Sequence, residues 1–211
     1  MLVNPAWGIG VRRGVVAALG LGALALWGML LATVAFAGGV TSTTAIETYA
    51  MEGNTPLSIV SYFHTHPFPG DRGPALANIR YNSDLDLTTR EGGGRCRVAS
   101  VRLNMDFVVT LPSADEFGAM SRSTRAMWNQ LAAFARAHEF GHRAMDLQCA
   151  WSFVARAERL SGGTCEAVES AARDLLAASA ASCDAHQAGY DQRESVRAGN
   201  LAMFRAARLG R

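Results

Sequence analysis

The stretch LAAFARAHEFGHRAMDLQCAW, residues 131–151, decides the expected fold of this 211-residue chain. Its apolar and histidine side chains recur at spacings of three and four residues, which is the period of one helix face. The pattern begins near Ser123 and runs to about Leu160, where a Gly-Gly pair follows. The sequence therefore predicts one long helix that carries His138 and His142 side by side.

A second pattern of the same period starts at Cys165, and we expect Gly189 to end or bend this second helix. The short connection between the two helices predicts an antiparallel helical hairpin. If the hairpin is centred on Gly162, residues pair across it so that His186 lies level with His138.

The chain before these helices is strand-like. Residues 43–51 predict a strand and residues 55–62 a short helix, while the Pro- and Gly-rich residues 64–74 predict an irregular loop. Residues 75–87 and 95–111 predict two strands of a hairpin. The expected fold class is α+β, a small antiparallel sheet followed by a long helical hairpin, in a single domain over residues 38–211.

The charge balance excludes one class of function. All 20 basic side chains are Arg, against 18 Asp and Glu, and the two signs are interspersed. Such a chain lacks the basic patch that nucleic-acid binding requires, so we expect no nucleic-acid partner.

The first 37 residues predict an export signal. Arg12 and Arg13 precede an apolar run over residues 14–37, which ends in Ala35-Phe36-Ala37. Small residues at these last positions are typical of a cleaved signal peptide, but the run is also long enough to anchor the chain in a membrane. Both alternatives place the remaining domain outside the cytoplasm, in the periplasm or in the medium.

Export changes the interpretation of the four cysteines, because an oxidising compartment favours disulfides. The chain has no CxxC pair that would indicate a sulfur-ligated zinc. Four cysteines allow three pairings, of which we prefer Cys96 with Cys165 and Cys149 with Cys183. Buried free thiols are the alternative for the second pair.

His138-Glu139-Phe140-Gly141-His142 fits the HExxH pattern in full. Two histidines four residues apart on a helix point the same way and can hold one zinc ion. The glutamate between them is placed to take a proton from the attacking water. The alternative is a pair of buried histidines satisfied by hydrogen bonds.

A catalytic zinc site needs a third protein ligand and an open fourth position. Hairpin geometry favours His186 as the third ligand, whereas Asp191 and Glu194 would need the bend at Gly189 to reach the ion. Asp146 is expected to support the ligands or to face solvent. Its position is four residues after His142.

Three further side chains are candidates. Tyr190 could donate a hydrogen bond to the oxyanion of the reaction, or it could be a packed aromatic residue. His64 and His66 form an HxH pair in the Pro-rich loop, where we expect loop residues at the rim of a cleft rather than metal ligands.

The order of these residues resembles a bacterial family of uncharacterised proteins described as secreted zinc-dependent proteases. The resemblance covers about residues 43–196, and its most specific parts are the HEFGH helix and Tyr190-Asp191. The other matching positions are Tyr49, Gly53, Gly73-Pro74, Cys96, Leu111-Pro112, Trp128 and Cys165. The resemblance implies a minimal zincin-like fold, His138 and His142 as zinc ligands, and Glu139 as the catalytic residue.

The chain departs from this family after Tyr190-Asp191. Members continue with a Thr and a His-Gly pair, whereas here residues 192–197 read QRESVR, and Val196 cannot bind zinc. The third ligand is therefore lost or replaced by His186, Asp191 or Glu194. The resemblance favours Asp191, and the hairpin geometry favours His186.

Together these features predict an exported zinc-dependent metallopeptidase that acts on peptides or proteins of the cell envelope. Zn²⁺ is the expected cofactor, and Glu139 is the expected general base. The alternative is a non-catalytic zinc-binding or envelope interaction protein that has lost its third ligand.

Overall fold

The computed structural model describes residues 39–70 and 73–210. The predicted signal peptide or anchor, residues 1–37, lies outside these described residues. The helices and strands, in chain order, are β1 (Gly39–Met51), α1 (Pro56–Thr65), β2 (Phe68–Gly70), β3 (Gly73–Ala75), β4 (Asn78–Gly92), β5 (Arg95–Ala114), α2 (Arg122–Ala157), β6 (Ser161–Gly162), α3 (Cys165–Gly199) and α4 (Ala202–Leu209).

The predicted α+β class is confirmed, with two helices of 36 and 35 residues following the sheet. Each of these helices starts at a hydroxyl cap. Ser121 accepts a hydrogen bond from the backbone N–H of Thr124, and Thr164 accepts one from Ala167. Such caps satisfy N–H groups that have no partner within the helix.

The main sheet has the strand order β1-β5-β4, and the short β6 also pairs with β5. Strands β4 and β5 form the predicted antiparallel hairpin. Its turn contains Gly93 and Gly94, both with positive φ, 62° and 74°. This conformation costs glycine little and other residues considerably more, so the Gly-Gly pair sets the end of the hairpin.

The expectation of a purely antiparallel sheet was wrong, because β1 runs parallel to β5. Only β4 is tied to β5 by a tight turn, which forces the antiparallel direction. β1 reaches β5 after a long excursion through the chain, so either direction is open to it. The hydroxyls of Thr41 and Thr43 donate hydrogen bonds to Asn104 and Asp106 across this parallel pair.

Two smaller differences concern the loop predictions. Within the residues predicted to be irregular, β2 and β3 form a two-stranded ribbon in which Pro69 faces Pro74. Proline is tolerated there because both strands are edge strands. Helix α1 also extends through His64 to Thr65, three residues beyond the predicted end.

The core lies between the sheet and the α2–α3 hairpin. Phe107 of β5 and Phe153 of α2 are each 1% exposed, and they pack with Val168, Ala172 and Leu176 of α3. A second cluster joins α1, α4 and the start of α2 through Ile59, Met203 and Trp128.

One disulfide joins the sheet to the helical hairpin and a second joins the two helices of the hairpin, and both have the predicted pairing. Cys96 of β5 is bonded to Cys165 at the start of α3, and Cys149 of α2 is bonded to Cys183 of α3. They indicate an oxidising, exported environment for the domain. Within the part of the chain that the structure describes, no helix is both long and apolar enough to cross a membrane.

Candidate metal centre

The candidate site lies between α2 and α3, where three side chains bring one ligand atom each to a common point. His138 and His142 of α2 contribute Nε2 atoms that are 3.0 Å apart. Oδ1 of Asp191 on α3 lies 3.2 Å from Nε2 of His138 and 2.7 Å from Nε2 of His142. Within the described ranges, this is the group of His, Cys, Asp and Glu residues with the geometry to hold a metal ion.

Asp191 takes the position that hairpin geometry assigned to His186. His186 is exposed and lies outside the ligand cluster, so its prediction as the third ligand is corrected. The partners across the hairpin lie later in α3 than a centre at Gly162 predicts. Cys149 is bonded to Cys183, and His142 contacts Gln187 and Asp191.

The prediction that α3 could end at Gly189 was also wrong. Helix α3 continues through Gly189 to Gly199, and Asp191 reaches the site from an unbroken helix. One glycine inside a helix costs about 1 kcal/mol relative to alanine, which the packing along a 35-residue helix outweighs. Glu194, one turn further, is buried and pairs with Arg197 at 2.7 Å.

Glu139 of the HExxH pattern is buried, with 4% of its surface exposed, on the stretch of α2 between the two histidines. Glutamate is rarely buried to this extent unless it has a partner or a function. The HExxH pattern alone did not predict this burial.

The ring of His138 is held by aromatic neighbours. It stacks with Tyr190 at a centroid distance of 5.0 Å and with Phe134 at 6.1 Å. Among the residues that the structure describes, the buried Nδ1 atom of His138 has no hydrogen-bond partner. Burial, followed by the neighbouring His142, lowers the pKa of His138, so the neutral ring that binds metals is favoured.

The ring of His142 is held by hydrogen bonds. Its Nδ1 contacts Oε1 of Gln187, and Nε2 of the same amide donates to the backbone carbonyl of His142 and to Asp146. Gln187 and Asp146 are both 6% exposed. Asp146 thus reaches the candidate ligand His142 through Gln187, which was not predicted. Its signal was a polar residue on the buried stripe of α3, between Cys183 and Asp191.

Tyr190 explains why the HExxH pattern contains glycine at position 141. A Cβ atom at Gly141 would lie 2.4 Å from the hydroxyl oxygen of Tyr190 and 2.9 Å from its Cζ. Only glycine leaves room for the phenol against α2. Burial, followed by Glu194, raises the pKa of Tyr190, so its hydroxyl stays protonated and remains a hydrogen-bond donor at neutral pH.

The HxH pair was predicted in a loop, but His64 belongs to the last turn of α1 and His66 follows the helix, and the pair is separate from the candidate centre. His64 is exposed near the end of α1, and the exposed His66 stacks on Tyr62 at a centroid distance of 4.5 Å. Neither belongs to the ligand cluster.

Comparison with known proteins adds one assignment. No curated protein and no solved structure matches the chain at a significant level. The model of the family described as "Bacterial protein of unknown function (DUF922)" matches residues 46–199, which include the ligand cluster, Glu139 and both disulfides. The match covers most of the chain, and the protein therefore belongs to this bacterial family of unknown function.

Proposed function

We propose that the protein is an exported zinc-dependent metallopeptidase. The observation that carries the proposal is the convergence of two histidine nitrogens and one aspartate oxygen within 2.7–3.2 Å of one another. Neutral imidazole and carboxylate are ordinary zinc ligands, and atoms bound to one zinc ion in tetrahedral geometry lie about 3.3 Å apart. The residues present therefore fit the ion.

The number of ligands supports a catalytic site over a structural one. Structural zinc sites have four protein ligands, whereas catalytic sites have three and leave one position for water or substrate. His138, His142 and Asp191 make three. When bound, zinc would polarise the carbonyl of the substrate and lower the pKa of a coordinated water to about 7.

The chain's own residues have distinct roles in this proposal. Glu139 accepts a proton from the attacking water and returns it to the departing amine. His138, His142 and Asp191 would hold the ion, and the carboxylate would offset part of its charge. Tyr190, protonated and adjacent to both histidines, is the donor proposed for the oxyanion that forms at the carbonyl.

The rival proposal is a non-catalytic zinc-binding or envelope interaction protein without a third ligand. The position of Asp191 weakens this alternative, because the carboxylate can take the place of the histidine that the resembling family has and this chain lacks. The set of two histidines and one carboxylate also suits Fe²⁺. The buried glutamate within HExxH favours hydrolysis with zinc.

The proposed substrates are peptides or proteins in the cell envelope, and the two disulfides support this proposal because they indicate an oxidising, exported environment. Residues 14–37 would act either as a cleaved signal or as a membrane anchor, and thus place the enzyme in the periplasm, in the medium or at the membrane surface.

The test is Glu139→Gln, which keeps the shape of the side chain and removes its basicity. We expect zinc content to be unchanged and hydrolysis of a peptide library, read by mass spectrometry, to fall about 10²- to 10⁴-fold. Glu158→Ala at the exposed end of the same helix is the control. Equal hydrolysis by Glu139→Gln and wild type, with both loaded with zinc, would exclude the proposed mechanism.

A further inference from the structure

Gln187 is a polar exception on the buried face of α3. The buried residues earlier in this helix are apolar or disulfide-bonded, namely Val168, Ala172, Leu176 and Cys183. Gln187 is 6% exposed and lies one turn after Cys183 and one turn before Asp191. A buried amide has two donor hydrogens and an acceptor oxygen to satisfy, so its neighbours determine which way it points.

The neighbours on one side of the amide are acceptors. Nε2 of Gln187 lies 3.2 Å from the backbone oxygen of His142 and 2.8 Å from Oδ1 of Asp146. A backbone carbonyl can only accept hydrogen bonds, and the same is true of an ionised carboxylate. The nitrogen of the amide must therefore face these two oxygens, and the amide oxygen must face the ring of His142.

This orientation determines which nitrogen of His142 carries the proton. Oε1 of Gln187 contacts Nδ1 of His142, and an amide oxygen only accepts hydrogen bonds. Nδ1 is therefore the protonated nitrogen, and Nε2 presents its lone pair. That lone pair points to a site shared with Oδ1 of Asp191, 2.7 Å away. When His138 also presents an unprotonated Nε2, three electron-rich atoms converge on one point, and a cation between them offsets their mutual repulsion.

We propose that Gln187, oriented by Asp146 and by the carbonyl of His142, is a positioning residue that holds His142 in the tautomer and orientation needed to bind a metal ion. The inference rests on the proposed function for its metal but not on peptide hydrolysis. Hydrogen bonding of the second ring nitrogen is a common way in which proteins orient a ligating histidine. In this protein a hydrogen bond orients the ring of His142, whereas aromatic stacking holds the ring of His138.

The first experiment measures zinc affinity by competition with a chromogenic chelator. We expect Gln187→Leu to bind zinc about 10- to 100-fold more weakly than wild type. His186→Ala, one residue away on the same helix and exposed, is the matched control and should bind like wild type. Equal affinity of the folded Gln187→Leu and His186→Ala proteins would overturn the inference.

An exchange of functional groups tests the direction of the hydrogen bonds. Gln187→Glu places a carboxylate against Asp146 and removes the donor, so zinc affinity should fall. Adding Asp146→Asn returns an amide donor to the pair, and we expect zinc affinity to recover most of the loss. A double variant that is no better than Gln187→Glu would contradict the proposed arrangement.

The second readout is the tautomer of His142, measured first in the wild-type protein and then in Gln187→Leu. In metal-free wild-type protein, ¹⁵N chemical shifts of the histidine ring should show His142 protonated at Nδ1. In Gln187→Leu, the signals should shift toward the tautomer protonated at Nε2, which a purely structural role of Gln187 would not cause. Protonation at Nε2 in neutral wild-type His142 would overturn the inference even if Gln187→Leu failed to fold.

The outcomes separate this inference from the proposed function. Zinc binding that depends on Gln187, in a protein that hydrolyses no peptide, supports the inference and contradicts the peptidase proposal. Peptide hydrolysis by a protein whose zinc affinity does not depend on Gln187 supports the peptidase proposal and contradicts the inference. A wild-type protein that binds no zinc overturns both.

Discussion

The two halves of the α2–α3 hairpin have opposite chemistry. In the half next to the connection, Phe153 and Val154 of α2 pack against Val168 and Leu176 of α3 in the main core. In the other half, the same faces of the same helices carry histidines, carboxylates and the amide of Gln187. The disulfide between Cys149 and Cys183 separates the two halves.

This difference shows where stability and function lie. Burying the apolar half is favourable by itself, at about 25 cal/mol per Å² of apolar surface. Burying the polar half costs free energy unless each group finds a partner, and the proposed partner of the three converging ligand atoms is a metal ion. We infer that the apolar half and the two disulfides hold the helices in register, so that the polar half can keep a site that would not form independently.

The largest expected effect is in the polar half. Asp191→Ala removes one of three ligand atoms, so zinc content should fall from about one ion per chain to almost none and hydrolysis should be lost. His186→Ala is the control. Elemental analysis and peptide hydrolysis measure the two effects, and an Asp191→Ala protein that retained zinc and activity would show that the third ligand lies elsewhere.

In Asp191→Ala, the melting temperature should no longer depend on zinc. Zinc at 100 times its dissociation constant stabilises the folded state by about 2.7 kcal/mol, so a chelator should lower the melting temperature of wild type. Asp191→Ala should melt at the same temperature with and without the chelator. A wild-type melting temperature that the chelator does not change would support a domain without metal.

The next effect is in the apolar half. Phe153→Ala leaves a cavity at a residue that is 1% exposed, so the free energy of unfolding in urea should fall by about 3–5 kcal/mol. Trp151→Ala, at a residue that is 53% exposed, should have a much smaller effect. Zinc affinity of the folded Phe153→Ala protein should stay close to wild type. A large loss of affinity would show that the two halves are coupled.

A pH dependence is expected at the boundary of the two halves. Burial raises the pKa of Asp146 to about 6, from 3.8 in the unfolded chain. The folded state therefore binds this proton more tightly than the unfolded chain does. The stabilisation that protonated Asp146 contributes is fully present below about pH 4 and is lost as the pH rises through about 6. The total loss is about 3 kcal/mol, at 1.36 kcal/mol for each pKa unit.

Asp146→Asn removes this titration. In chelated protein, the free energy of unfolding of wild type should fall relative to that of the variant as the pH rises from about 4 to about 6.5. Urea unfolding at a series of pH values measures the difference. A constant difference over this range would contradict the raised pKa of Asp146.

The smallest expected effect concerns the packing of Tyr190. Gly141→Ala places a methyl group against the phenol, and such overpacking costs about 1–3 kcal/mol. Because the displaced ring also supports His138, hydrolysis should decrease. Combining Gly141→Ala with Tyr190→Ala should restore stability to that of Tyr190→Ala alone. If Gly141→Ala is as stable and active as wild type, the close approach of Tyr190 has no consequence for the site.

The parts of the fold predicted from sequence are those that depend on neighbours along the chain. The apolar period predicted α2 and the first turns of α3, and the Gly-Gly pair predicted the β4–β5 hairpin. The break at Gly189 was predicted from a local penalty, and long-range packing outweighed that penalty. The direction of β1 depends on a partner more than 50 residues away, which no local pattern specifies.

The candidate site also has a part that the local sequence predicts and a part that depends on long-range packing. The HExxH spacing by itself determined that His138 and His142 share one helix face with Glu139 between them, because 3.6 residues complete one turn. The tertiary structure decided between His186 and Asp191, the two alternatives for the residue that faces them, and it brought Gln187 into contact with His142. The register of two helices depends on how their connection packs, here through β6 on β5 and the disulfides, and not on the period of either helix.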